Sequence, residues 1–384
     1  MSPAVIARME IIVLASGLLQ PFAGTLRHPA HLRSHDNSDG MEVPTKIRDV
    51  AHLEELLSEP TPAAIEAIGR ADGDLVVLGV AGKMGPTLAR MARRAMDAAG
   101  LSHRVIGVSR FSSPDQQHAL EAHGIETIRC DLLDEAALAR LPEAPNVIFM
   151  AGRKFGSMGD EPLTWAMNAH LPAMVCDRYR RSGIVAFSTG NVYGLTPHGR
   201  GGSREEDSPA PIGEYAMSCL GRERMFQYFS RAYEIPVAIL RLNYAVEMRY
   251  GVLADLAGRV SRREPIDLTM GYFNVIWQAD ANAMALAALE HTSTPPLMVN
   301  IAGPEELSVR AVSAELARRQ DLDVSFINRE AEDALLSNGT RGWSLFGKPR
   351  VDAEQLLAWT ADWVRRGGET LDKPTHFESR AGQF

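Results

Sequence analysis

Short apolar runs alternate along the chain with stretches in which apolar residues recur every three or four positions. The runs are Leu75–Leu78, Val105–Val108, Glu126–Cys130, Asn146–Met150, Ile184–Phe187 and Val237–Leu240. A run of four or five apolar residues bounded by turn formers reads as a buried strand, and the stretches between read as helices. The alternation predicts an α/β chain with a Rossmann-like, doubly wound parallel sheet. Upstream, the spacing of Val50, Leu53, Leu56, Leu57, Ile65 and Ile68 predicts two amphipathic helices broken at Pro60 and Pro62.

Residues before about Met41 follow another pattern. An apolar run from Ile11 to Leu19 precedes a polar stretch rich in His, Arg and Ser. The run is too short to span a bilayer. Arg8 before it and Phe22-Ala-Gly after it admit a signal-peptide reading. A nucleotide-dependent enzyme draws on the cytoplasmic cofactor pool, so the preferred expectation is a dispensable, disordered extension over residues 1–45, with Met41 as a natural start.

The chain has 384 residues, 45% hydrophobic and 23% charged, which is long enough for a sizeable core and ordinary for a soluble enzyme. A formal net charge of -8 argues against nucleic-acid binding. Cys130, Cys176 and Cys219 are few and widely spaced, which implies a reducing compartment and no structural metal.

Chemistry enters after the first strand, where Gly79, Gly82 and Gly85 form a G-x-x-G-x-x-G loop enclosing Lys83 and Met84 and leading into a helix. Between a strand and a helix, such a loop lets the backbone approach a diphosphate at the helix N-terminus. The second strand ends in Ser109 and Arg110 rather than in an acidic residue. A hydroxyl and a guanidinium suit a 2′-phosphate, so NADP is favoured over NAD. Asp131 and Leu132 end the third strand where an adenine edge would lie.

The glycine loop, Asp131-Leu132, Asn168, the segment Ser188 to Gly194, and Tyr215-Ala-Met-Ser-Cys219 together resemble the extended short-chain dehydrogenase/reductases, the NAD-dependent epimerase/dehydratase family. Arg241-Leu-Asn243, the segment Ile276 to Asp280 and the segment Val299 to Gly303 fit the same order, so the resemblance covers about Leu75 to Gly367. It implies that Tyr215 is the general base or acid at a substrate hydroxyl and that Thr189 bonds the same oxygen. It further implies a lysine one helical turn after the tyrosine, stabilising the phenolate and holding the nicotinamide ribose. Cys219 stands there instead, and a neutral thiol cannot supply that charge. Lys154 and Arg153 follow Ala151-Gly152 at the end of the fourth strand, and Lys154 is the candidate substitute cation. Arg222 shares the helix face of Tyr215 but is expected at the surface or in a dimer contact.

The resemblance implies an NAD(P)-binding domain over residues 46–242, with 274–303 returning to it. A small C-terminal substrate lobe would comprise 243–273 and 304–384. Trp343, Phe346, Trp359 and Trp363 are expected in that lobe's core, and the tail from Lys373 carries no functional signal. Gly190-Asn191 follows Thr189 where 4,6-dehydratases carry Asp-Glu, which argues against dehydration. Asn243 is shifted by one from the family position, which weakens the case for diphosphate recognition, and a smaller sugar, sugar acid or other hydroxy or keto compound, contacted by Arg249 and Tyr250, is compatible. The loop Arg200 to Asp207 reads as a mobile cover. The expected protein is thus a cytoplasmic, homodimeric NAD(P)-dependent oxidoreductase or epimerase of a sugar or sugar-like hydroxyl or ketone, with no membrane or nucleic-acid partner. The alternative is a catalytically impaired nucleotide-binding sensor of the same fold.

Overall fold

Four consecutive fully buried residues, Leu75–Leu78, form β1 at the centre of a parallel sheet. The structure, a computed structural model, describes residues 43–154 and 159–382. Apart from its last three residues, the expected N-terminal extension lies outside them, as does the apolar run within it. The other sheet strands are β2 (Val105–Ser109), β3 (Glu126–Arg129), β4 (Asn146–Phe149), β5 (Gly183–Thr189), β6 (Val237–Leu242) and β7 (Leu297–Ile301). Their spatial order is β7-β6-β5-β4-β1-β2-β3, with β1 in register between Val105–Val108 and Asn146–Phe149. Chain order reverses between β1 and β4. The crevice beyond the carboxyl ends of these two strands is therefore where such a sheet binds its ligand.

Side chains of a strand alternate between the two faces, and the sheet carries a core on each. Leu75 and Val77 pack with helices α1 (Val50–Leu57), α2 (Pro62–Arg70) and α3 (Gly85–Ala98), through Leu57, Ile68, Leu88 and Met91. Val76 and Leu78 pack on the opposite side with Val175 and Phe226. The expected pair of helices separates between Leu57 and Pro62, where Pro62 opens α2, because a first-turn residue needs no N–H partner, and Thr61 caps the same end.

Beyond β6, two-residue ladders join distant segments. Ile266–Asp267 pairs with Phe326–Ile327, and Tyr272–Phe273 with Leu307–Ser308. Phe346, Trp359 and Trp363 are buried, and Trp343 donates to the Ala302 carbonyl at 2.9 Å.

Two expectations need correction. The tail is a strap rather than a featureless end. Leu371 N–H bonds the Arg249 carbonyl at 3.0 Å, Thr375 bonds Asp255 through both its N–H and its hydroxyl, Phe377 is buried, and Arg380 pairs with Asp333. Its polar composition hid this role, because the hydrogen bonds run to backbone and carboxylates of other segments. The Arg200 to Asp207 loop is pinned beside β7. Ser203 exchanges backbone hydrogen bonds with Leu336 and Asn338, and Glu205 accepts from the Asn300 N–H at 2.8 Å.

Candidate active site

The phosphate end of the crevice is built of backbone. Gly79 sits at φ +88°, and a Cβ there would lie 2.7 Å from the Ala151 nitrogen, so only glycine lets β1 turn beside the end of β4. Chain continuing through Gly82 and Lys83 enters α3 at Gly85, and Met84 in the cap position offers no side-chain bond to the helix N-terminus. An anion can take those N–H groups. Gly79 and Gly82 share a cavity of about 490 Å³ with Ser109, Arg110, Asp131 and Leu132, closed by Ala151 and Gly152. Asp131 also accepts from the Leu133 N–H at 3.1 Å. This cradle fits a dinucleotide.

The crevice continues past Gly152 to Tyr215, in the first turn of the long helix Gly213–Tyr233. Thr189, the last residue of β5, lines the same pocket, and its hydroxyl donates to Asn191 Oδ1 at 3.1 Å. Cys219, one helical turn on, is buried in the small cluster against which Tyr215 packs. Burial and the sulfur of Cys219 push the phenol well above its ordinary range, against the pull of Arg222 and Thr189. The phenol of Tyr215 is therefore neutral near pH 7. Lys154 comes from the end of β4, with its Nζ 5.9 Å from the Tyr215 ring centre and 3.4 Å from the Thr375 carbonyl. Burial lowers its pKa to about 8.

Arg222 is not the expected surface residue. It is buried, and its guanidinium donates to the Phe187 carbonyl at 2.7 Å and to Asn168 Oδ1 at 2.8 Å. Gly152 makes this possible, since a Cβ there would lie 2.3 Å from Arg222 Nη2. Two signals could have found it: the seven-residue spacing from Tyr215, which keeps one helix face, and a glycine closing β4. Asn168, in the π-helical turn Ala166–His170, holds the Arg153 backbone through both its amide groups, at 2.8 and 2.9 Å.

Beneath Thr189 lies a buried polar chain. Ser188 donates to Glu223 at 2.6 Å, Glu223 accepts two bonds from Arg241, and Arg241 donates to Tyr193, which reaches Asn300. A charge pair this deep survives because every member is bonded.

Past Tyr215 the crevice ends in a cavity of about 130 Å³ whose wall includes Lys83, Lys154, Asn191, Tyr244, Tyr250 and Thr375. Tyr250 thus faces the site, whereas Arg249 is drawn into ion pairs with Glu54 (2.6 Å) and Glu247 (3.1 Å). Asn243 is buried and bonds Asn274 at 2.6 Å. Sequence reasoning placed Lys83 with the phosphates and overlooked Tyr244 and Thr375. No residue of the Arg200 to Asp207 loop lines either cavity.

Residues 75–302 match the family model described as the NAD dependent epimerase/dehydratase family. No curated protein matches the chain. Among solved structures it is similar to the UDP-glucuronic acid 4-epimerase of Bacillus cereus, in complex with UDP-glucuronic acid and NAD. The identity is 18% and the TM-score 0.63, with 76% of this chain and 99% of that one covered. The UDP-glucose 4-epimerase of Thermotoga maritima, with UDP-glucose, gives 18% identity and a TM-score of 0.63 over 77% and 99% of the two chains. At this identity the likeness speaks for the fold.

Proposed function

The chain belongs to the NAD dependent epimerase/dehydratase family, and on that premise we propose that it is an NAD(P)-dependent oxidoreductase or epimerase of a sugar or sugar-like hydroxyl or ketone. One observation carries the reading: Tyr215 and Thr189 line one pocket at the far end of a crevice that fits a dinucleotide. A protein using only the fold to bind a nucleotide has no chemical need for that pair.

Gly79, Gly82 and the start of α3 hold the diphosphate, and Ser109 with Arg110 favours NADP through its 2′-phosphate. When bound, the nicotinamide supplies a reversible hydride acceptor. Tyr215 gives its proton to a substrate ketone oxygen, or as phenolate takes one from a hydroxyl, while Thr189 hydrogen-bonds the same substrate oxygen. Lys154 and Arg222 share the electrostatic work that Cys219 cannot do. The two reach Tyr215 from different elements, one from the end of β4 and one from the long helix. Asn191, with an amide where an acid would be needed, bonds Thr189 at 3.1 Å and supports redox or epimerase chemistry over dehydration.

Segments 243–273 and 304–384 act as the substrate lobe. Exposed Met217 and Tyr228, eleven residues apart on one face of the long helix, support a homodimer through this face. A cytoplasmic setting supplies the cofactor, and among the described residues no helix is long and apolar enough to cross a membrane.

The test is to purify the full chain, identify any bound dinucleotide, and add NADP⁺ or NAD⁺ with neutral sugars and sugar acids while following the reduced-nicotinamide absorbance. Substrate-dependent reduction, faster with NADP⁺, is expected. An epimerase that recycles its cofactor internally would show solvent-deuterium incorporation or inversion without net absorbance change. Tight dinucleotide binding with neither signal would support the sensor.

A further inference from the structure

The cavity beyond Tyr215 is unusual in its charge. Lys83 and Lys154 are the charged side chains on its wall, and the rest of its polarity comes from hydroxyls and one amide: Ser188, Thr189, Tyr215, Tyr244, Tyr250, Thr375 and Asn191. Lys83 leaves the glycine loop yet turns its ammonium away from the phosphate end, with Nζ 2.8 Å from the centre of the Tyr250 ring. Among the described residues no carboxylate comes within 4 Å of it. The two acids that act on it through space are committed elsewhere. Glu247 accepts from the Arg249 N–H and guanidinium at 2.8 and 3.1 Å, and Asp255 from Thr375 at 2.8 and 2.5 Å.

Two like charges held in one small cavity repel each other unless an anion joins them. The fold also takes on strain to shape this wall. Tyr244 sits at φ +42°, a conformation that bulky side chains rarely adopt.

We propose that this cavity takes the carboxylate of a small hydroxy or keto acid between Lys83 and Lys154, with the acid's reacting oxygen turned toward Tyr215 and Thr189. The second half of this statement rests on the reading of Tyr215 given above, whereas carboxylate capture stands on the lysines. Size and wiring favour a substrate without a nucleotide. The cavity is only about 130 Å³, and Arg249, a candidate to hold a substrate diphosphate, is locked to Glu54 and Glu247. A sugar acid of five or six carbons meets both demands, since its hydroxyls match the hydroxyl-rich wall. The ammonium groups supply charge-assisted hydrogen bonds that a neutral sugar cannot accept as strongly.

The experiment is calorimetric titration of the full chain, saturated with NADP⁺, by D-glucuronate and D-gluconate and by their neutral counterparts D-glucose and D-glucitol. At least one acid is expected to bind tighter than its neutral counterpart by about tenfold or more. Lys83→Met and Lys154→Met should each remove that preference while the neutral compounds bind as before. Lys83→Arg should keep it. NADP⁺ affinity of Lys83→Met, within about threefold of the parent, reports that the variant is folded and that Lys83 does not serve the cofactor. Equal binding of acid and neutral partner, no binding of either acid, or a Lys83→Met variant that loses NADP⁺ but keeps the acid overturns the proposal. The two readings fail separately. Tyr215-dependent turnover of neutral sugars without acid preference would sink carboxylate capture alone, and tight acid binding without turnover would sink only the catalytic reading.

Discussion

The two ends of the crevice are made of different materials. At the phosphate end the contacts are backbone, set by Gly79 against Ala151 and by the uncapped start of α3. At the reacting end they are side chains from four separate elements: Thr189 from β5, Tyr215 from the long helix, Lys154 from the end of β4, and Lys83 from the glycine loop. A backbone cradle has few solutions and changes little. A charge can be delivered from any element that reaches, and in the proposed reading Lys154 and Arg222, from two different elements, take the place of the cation missing at Cys219.

The comparison predicts that damage at the reacting end leaves dinucleotide binding intact. Tyr215→Phe removes the proton donor and should lower turnover by about 10²–10⁴-fold while NADP⁺ affinity holds. A parallel loss of cofactor affinity, read by calorimetry, would mean that the two ends are not separable. Glu223→Ala tests the support below them. It strands the buried Arg241 without its partner, and urea unfolding should show a loss of about 3–5 kcal/mol. A loss under about 1 kcal/mol, the level of an exposed pair, would show that the buried chain does not hold β5 and β6 under the site.

Gly152 is where the two ends touch. Gly152→Ala should displace Arg222, raise the phenol pKa further, and lower turnover by about tenfold, one pKa unit of lost support. Arg222→Met should do the same. Because both changes act on one contact, the double variant should be little worse than either alone. Additive losses would separate Gly152 from Arg222.

The same division explains what could be read from the sequence. The strands, the glycine loop and the positions of Tyr215 and Thr189 depend on local pattern, and the sheet order β7-β6-β5-β4-β1-β2-β3 is a doubly wound one. Arg222 and Thr375 depend on distant partners. An arginine in a helix reads as solvated unless the glycine that makes room for it, 70 residues earlier, is paired with it. Thr375 sits in a polar tail that looks like solvent-facing chain, until its bonds to Asp255 bring it to the wall of the cavity. Lys83 was recognised, but its direction was not, because the Tyr250 ring that turns it lies 167 residues further along.

The central claim is that Lys154 supplies the charge that Cys219 does not. Turnover at saturating substrate, measured across pH for the parent and Lys154→Met, tests it most directly, since saturation removes any effect on binding. Burial sets the Lys154 pKa to about 8, with Cys219 and Asp255 facing it and opposing that fall. The ammonium is therefore present below about pH 8 and lost above it. The parent should lose turnover as pH rises through that value. Lys154→Met should be slower at pH 7 by about tenfold and lack that falling limb, with NADP⁺ affinity unchanged. Superimposable profiles for the two proteins would contradict the account.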